Sequence, residues 1–136
     1  MIEPAPLGFS GADRPSADAF NRCIRCGLCL PTCPTYLETL TETSGPRGRI
    51  SLIKAVDEGR LGLLDDGFVG QMSECLDCRA CEAACPSGVP YGELLDAART
   101  QIRRARAPDE RPRDRLVRRA ALALLARPGL LRSVAA

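Results

Sequence analysis

Eight cysteines hold the chemistry of this sequence, and they fall in two runs. "CIRCGLCLPTCP" occupies residues 23–34 and "CLDCRACEAACP" residues 75–86. In both, the cysteines are spaced x2, x2 and x3, and a proline follows the last one. The runs align at an offset of 52, with Ile24 opposite Leu76, and the likeness ends with those twelve positions. The chain contains no histidine.

Three chemistries compete for such runs. Disulfides explain neither the duplicated spacing nor the closing proline, and they suit an oxidising compartment to which nothing in this sequence points. A zinc thiolate site normally draws on two C-x2-C pairs a dozen or more residues apart, whereas neighbouring pairs here would share a cysteine. The spacing C-x2-C-x2-C-x3-C-P is that of two-cluster iron-sulfur proteins: one loop gives three thiolates to one cubane, and the fourth cysteine reaches the other cluster. By this motif Cys23, Cys26, Cys29 and Cys85 hold one 4Fe-4S cluster, and Cys75, Cys78, Cys81 and Cys33 hold the second. Eight thiolates then form two complete sets with none left over. Full thiolate ligation leaves no open coordination position, so electron transfer is expected rather than Lewis-acid catalysis. Gly27, Ala80, Ala83 and Ala84 are small enough for the backbone to wrap closely, with N–H groups free to meet sulfur.

Helices must position these runs. Ser16 is a cap for a short helix through Phe20 into Cys23. In "SGPRGRISLIKAVDEGR", Pro46 marks a first turn, Ile50, Ile53 and Val56 recur at helical spacing, and Gly59 is a stop. A third helix is expected from Asp66 through Phe68, Val69 and Met72 into the second run. After Pro90, "YGELLDAARTQIRRAR" puts Leu94, Leu95, Ala98 and Ile102 on one face, with arginines opposite. A last helix is expected over about 114–126, stopped by Pro128 and Gly129. No segment alternates with period two. The expected class is therefore all-α: an alpha-helical ferredoxin-like domain with two 4Fe-4S clusters on cysteine loops between helices. Residues 1–15 read as an irregular arm, 16–106 as the dicluster domain, and 107–136 as a basic helix or connector. The 41 residues between Cys33 and Cys75 exceed a compact carrier's loop and suffice for two helices.

Composition agrees with a small core built around something other than aromatic rings. The chain of 136 residues has no Trp, three Phe and two Tyr, so a bound inorganic centre is expected to anchor it. The net charge of +2 conceals an asymmetry. Residues 1–98 carry eight Lys or Arg against fourteen Asp or Glu, net −6, and residues 99–136 carry eleven Arg against three acids, net +8. The scattered arginines of the tail read as a solvated helix face or connector, and no nucleic-acid partner is expected. The N-terminus lacks the basic start and apolar run of a signal peptide, so a cytoplasmic location is expected.

Beyond the ligand positions, "LPTCPTY", "SGPRGRI" and "CPSGVPYG" closely resemble the iron-sulfur subunit of bacterial glycolate oxidase, also called glycolate dehydrogenase. The likeness covers about residues 18–106. It implies a helical ferredoxin domain in a multi-subunit enzyme whose flavoprotein subunits, carrying FAD, oxidise glycolate to glyoxylate. Electrons would pass through this chain toward a quinone or other acceptor at the inner face of the cytoplasmic membrane. The eight cysteines match the family's ligands one by one. Related lactate or glycerol-3-phosphate dehydrogenase complexes are the neighbouring alternative, and a zinc-stabilised nucleic-acid-binding module is the alternative from another class. Arg47 and Arg49 in "SGPRGRI" are candidates to stabilise an anionic cluster or to pair with an acidic residue of a partner; Tyr36 and Tyr91 are expected to pack beside the clusters. Members of that family continue with two further cysteine-rich repeats, whereas this sequence has no cysteine after Cys85.

Overall fold

A computed structural model describes residues 8–107 and 112–126, and among them every regular element is helical. Seven α-helices occur: α1 (Ala17–Asn21), α2 (Pro34–Thr39), α3 (Pro46–Asp57), α4 (Asp66–Glu74), α5 (Ala80–Ala83), α6 (Tyr91–Arg106) and α7 (Pro112–Leu125). A 3-10 turn, Glu42–Ser44, joins α2 to α3. The chain divides into two compact units, residues 1–105 and 106–136.

In the first unit α3 lies at the centre, packed on α1, on α4 and on the 3-10 turn. Its Ile50, Ile53 and Val56 are buried, as their spacing requires, and Gly59 takes a left-handed φ of 68° just beyond its end. Ser16 caps α1 by accepting from the Ala19 N–H at 3.4 Å. Asp65 caps α4 by accepting from the Phe68 N–H at 3.1 Å. Along α6, Leu94, Leu95, Ala98 and Ile102 complete the core with Phe20, Leu63, Phe68 and Met72. Burying each of these larger side chains contributes about 1.5–3 kcal/mol. Phe9 meets Phe68 edge-on, with ring centroids 6.1 Å apart.

Residues 8–15 form no helix, yet they are tied down. The Gln101 side chain donates to Ser10 O at 2.7 Å and accepts from the Ser10 N–H at 3.2 Å, and Arg104 pairs with Asp13. The amphipathic reading of α6 thus misses two polar residues, Gln101 and Arg99, that turn inward. In the second unit α7 begins two residues before the expected start, at Pro112, with its proline in the first turn. Leu116, Val117, Leu122 and Leu125 on it are exposed. The expected stop at Pro128 and Gly129 lies outside the described residues. No helix among those described is long and apolar enough to cross a membrane.

Candidate metal centre

The two cysteine runs share a backbone as well as a spacing. Arg25 and Asp77, two residues after the first cysteine of each run, both adopt left-handed φ, 58° and 53°. Gly27 and Arg79, the residues after the second cysteine, do the same at 85° and 57°. The Leu30 N–H donates to Gly27 O at 2.9 Å, and at the matching positions Glu82 N–H donates to Arg79 O at 2.9 Å. Cys33 N–H to Leu30 O and Cys85 N–H to Glu82 O are again equivalent, both 3.1 Å. Three non-glycine residues in this sterically restricted region cost roughly 1 kcal/mol or more each, and such strain persists where a site demands the geometry. The runs differ at one place. Residues 80–83 close a helical turn, α5, where the first run has only turns; Pro31 stands opposite Ala83 and has no N–H. Cys81 therefore sits in a single helical turn between the longer helices.

Around these runs the thiols ring two cavities. One, of about 420 Å³, is lined by Cys23, Cys26, Cys29 and Cys85. The other, of about 320 Å³, is lined by Cys33, Cys75 and Cys78. Cys81 borders both, as do Pro46 and Tyr91. Among the described residues no three Cys, Asp or Glu side chains converge closely enough to grip a single ion. Around one zinc the sulfurs would stand about 3.8 Å apart, from tetrahedral bonds of about 2.3 Å. Thiols that line two adjoining cavities without closing on one point suit a cluster better than an ion.

The electrostatics agree. Burial first, then the neighbouring Cys29, Cys75, Cys33 and Cys78, push the Cys81 thiol up to about 12. Burial also pushes Cys29 up, partly offset by the Arg47 backbone N–H at the start of α3. Sulfurs so placed become thiolates only when a cationic centre compensates them, and iron does so.

Other groups fix the rims. The Tyr91 hydroxyl, whose acidity burial and Cys75 together suppress, stands 3.5 Å from Cys75 Sγ. The Val89 N–H points at Cys85 Sγ over 3.5 Å. Thr35 Oγ1 lies 3.3 Å from Cys33 Sγ and 2.8 Å from Ser44 O, so its one proton has two acceptors in reach. Arg99, unforeseen in the sequence, donates to Met72 O and Cys75 O and so satisfies carbonyls left open where α4 ends. Glu82 accepts from the Gly92 N–H and ties the second run to the first turn of α6.

The two candidate arginines part company. Arg47 borders the first cavity, keeps 31% of its side chain exposed, pairs with Glu42 and donates to Arg25 O at 3.1 Å. Arg49 borders the second and is wholly buried. Its Nε donates to Gln71 O at 2.7 Å and its Nη1 to Thr35 Oγ1 at 3.0 Å, while Nη2 has no partner. Tyr36 lies at the surface of α2, half-buried, and borders neither cavity.

Comparison with known proteins agrees with this geometry. Residues 19–89 match the 4Fe-4S dicluster domain. Over 81 residues, 59% of this chain, the sequence is 56% identical to the probable glycolate oxidase iron-sulfur subunit of Bacillus subtilis. Over 120 residues, 87% of the chain, it is 41% identical to the glycolate oxidase iron-sulfur subunit of Escherichia coli. Lactate utilization protein B of Bacillus subtilis is 36% identical over 94 residues, 64% of this chain and 18% of its own length. The chain spans 18% and 28% of the first two relatives' lengths. No solved structure matches it significantly.

Proposed function

The chain belongs to the 4Fe-4S dicluster domain family, and from that membership we propose that it is the electron-carrying part of a 2-hydroxy-acid dehydrogenase complex acting on glycolate. When bound, the two clusters supply one-electron storage and transfer. The chain's own residues do the rest. Cys23, Cys26, Cys29 and Cys85 hold one cluster, and Cys33, Cys75, Cys78 and Cys81 hold the other. That crossing is supported by the way the thiols divide between two cavities, Cys81 bordering both. Tyr91 and Cys81 fill the wall between the cavities and exclude water there. The Val89 N–H and the Tyr91 hydroxyl donate to the sulfurs of Cys85 and Cys75. Such hydrogen bonds favour the more negative, reduced state.

Glycolate, the flavoprotein subunits with FAD that would oxidise it, and a quinone acceptor enter through the likeness to the two glycolate oxidase subunits. A cytoplasmic site, at the inner face of the membrane, fits a chain that needs eight reduced thiols. The observation that carries the reading is the 41% identity over 87% of the chain, which reaches well past the cysteine runs. Purifying the native complex anaerobically and adding substrate tests it. Glycolate is expected to bleach the cluster absorbance and drive dye reduction; bleaching by lactate or glycerol 3-phosphate in its place would move the chain to a related complex.

A further inference from the structure

Arg49 is a buried positive charge with no counter-charge. None of its surface is exposed, and among the described residues no carboxylate pairs with it. Its two hydrogen bonds go to neutral oxygens, and Nη2 has no partner. A guanidinium taken out of water is strongly unfavourable unless an anion sits beside it. What sits beside it is the cavity ringed by Cys33, Cys75, Cys78 and Cys81. The other cavity has no buried cation: of the two arginines that line it, Arg25 is exposed, and Arg47 is partly exposed and pairs with Glu42. Hydrogen-bond donors to sulfur are found on both sides, the Val89 N–H on one and the Tyr91 hydroxyl on the other. The exposed Arg79 on the second cavity pairs with Asp77 and Asp96, so the difference between the two sites is the buried, unpaired charge of Arg49.

We propose that Arg49 is a positioning charge that sets the potential of the cluster held by Cys33, Cys75, Cys78 and Cys81 above that of its neighbour, so that an electron shared between them rests on the Arg49 side. This deepens the ligation reading given above and rests on it. Reduction adds one negative charge, and a fixed positive charge in a poorly solvated wall favours the reduced form of the nearer cluster. The bonds to Gln71 O and Thr35 Oγ1 hold the guanidinium at that wall, and Thr35 in turn touches Cys33.

The test is an anaerobic redox titration of the loaded protein, followed by electron paramagnetic resonance, in the wild type and four variants. Cys33→Ser identifies the signal of its own cluster. Arg49→Met is expected to shift that same cluster at least tenfold toward its oxidised form at a fixed potential, about 59 mV for one electron. Arg49→Lys should restore most of the shift, and Arg47→Gln should leave that cluster where it was. If Arg49→Met unloads the cluster while Arg49→Lys retains it, the charge is again what the site needs. Loss in both variants, an equal shift of both clusters, a shift in the signal not marked by Cys33→Ser, or no shift overturns the proposal. A wild-type protein without two clusters fails at the first step, removing the ligation reading before any arginine variant is compared.

Discussion

The Tyr91 hydroxyl stands 3.5 Å from Cys75 Sγ, across sixteen residues of sequence, in the wall that both thiol-lined cavities share. The ring is 4% exposed, so the tyrosine packs like a core residue while its one polar atom meets a sulfur. Tyr91→Phe keeps the packing and removes that bond. The variant is expected to retain its clusters, to lose about 0.5–1.5 kcal/mol of stability, and to lower the potential of the cluster on Cys75. Thermal unfolding and the redox titration check the two parts separately.

Crossed ligation predicts crossed lesions. Cys33→Ala should damage the cluster held mainly by the second run, and Cys85→Ala the one held mainly by the first. Resonance spectra of the two variants, compared with Cys26→Ala and Cys78→Ala, decide it: Cys33→Ala should resemble Cys78→Ala. A resemblance to Cys26→Ala would show each run serving its own cluster.

Gly48 lies on α3 against the 3-10 turn, where a Cβ would collide with the backbone of Glu42 and Thr43. All of these atoms are backbone and none is the free end of a flexible side chain, so the turn itself must move. Gly48→Ala should cost about 1–3 kcal/mol or more, and, because Ser44 contacts Thr35, loosen the Cys33 side first. Gly70 on α4 has nothing within 4 Å of its virtual Cβ. Gly70→Ala should gain about 0.5–1 kcal/mol. Denaturant midpoints of the two variants should move in opposite directions.

Arg99 joins α6 to the end of α4 through Met72 O and Cys75 O. Arg99→Met keeps its aliphatic bulk but leaves both carbonyls unmet, at a cost of about 1–3 kcal/mol each if they stay buried. Faster iron loss to a chelator is expected, with release of the cluster on Cys75 ahead of the other.

The cysteine spacing, the caps Ser16 and the stop Gly59, and the apolar faces of α3 and α6 were legible because each depends on residues close in sequence. Other features were not, for physical reasons. Ala80–Ala83 and Pro34–Thr39 are too short for a periodic pattern, and their start is set by Arg79 and Cys33, neither a strong side-chain cap. Left-handed Arg25 and Arg79 defy local preference, whereas Asp77 is of a type that visits this region more readily. Arg99 read as part of the arginine face of α6, and Gln101 gave no signal, because their acceptors, Cys75 O and Ser10 O, are carbonyls that leave no trace in composition. "SGPRGRI" marked Arg47 and Arg49 together; only the packing of α3 separates a half-exposed ion pair from a buried lone charge.

Chelation should unfold the first unit, because the cavities left behind would be lined by desolvated thiols and by Arg49 without a counter-charge. Far-ultraviolet circular dichroism during anaerobic iron removal should show helix loss in step with iron loss; helix content that survives complete removal would mean the core stands without the clusters.

The most direct measurement is iron, acid-labile sulfide and zinc per chain after anaerobic purification. Two cubanes require about eight irons and about eight sulfides per chain. Stoichiometric zinc with no sulfide would contradict the electron-transfer account.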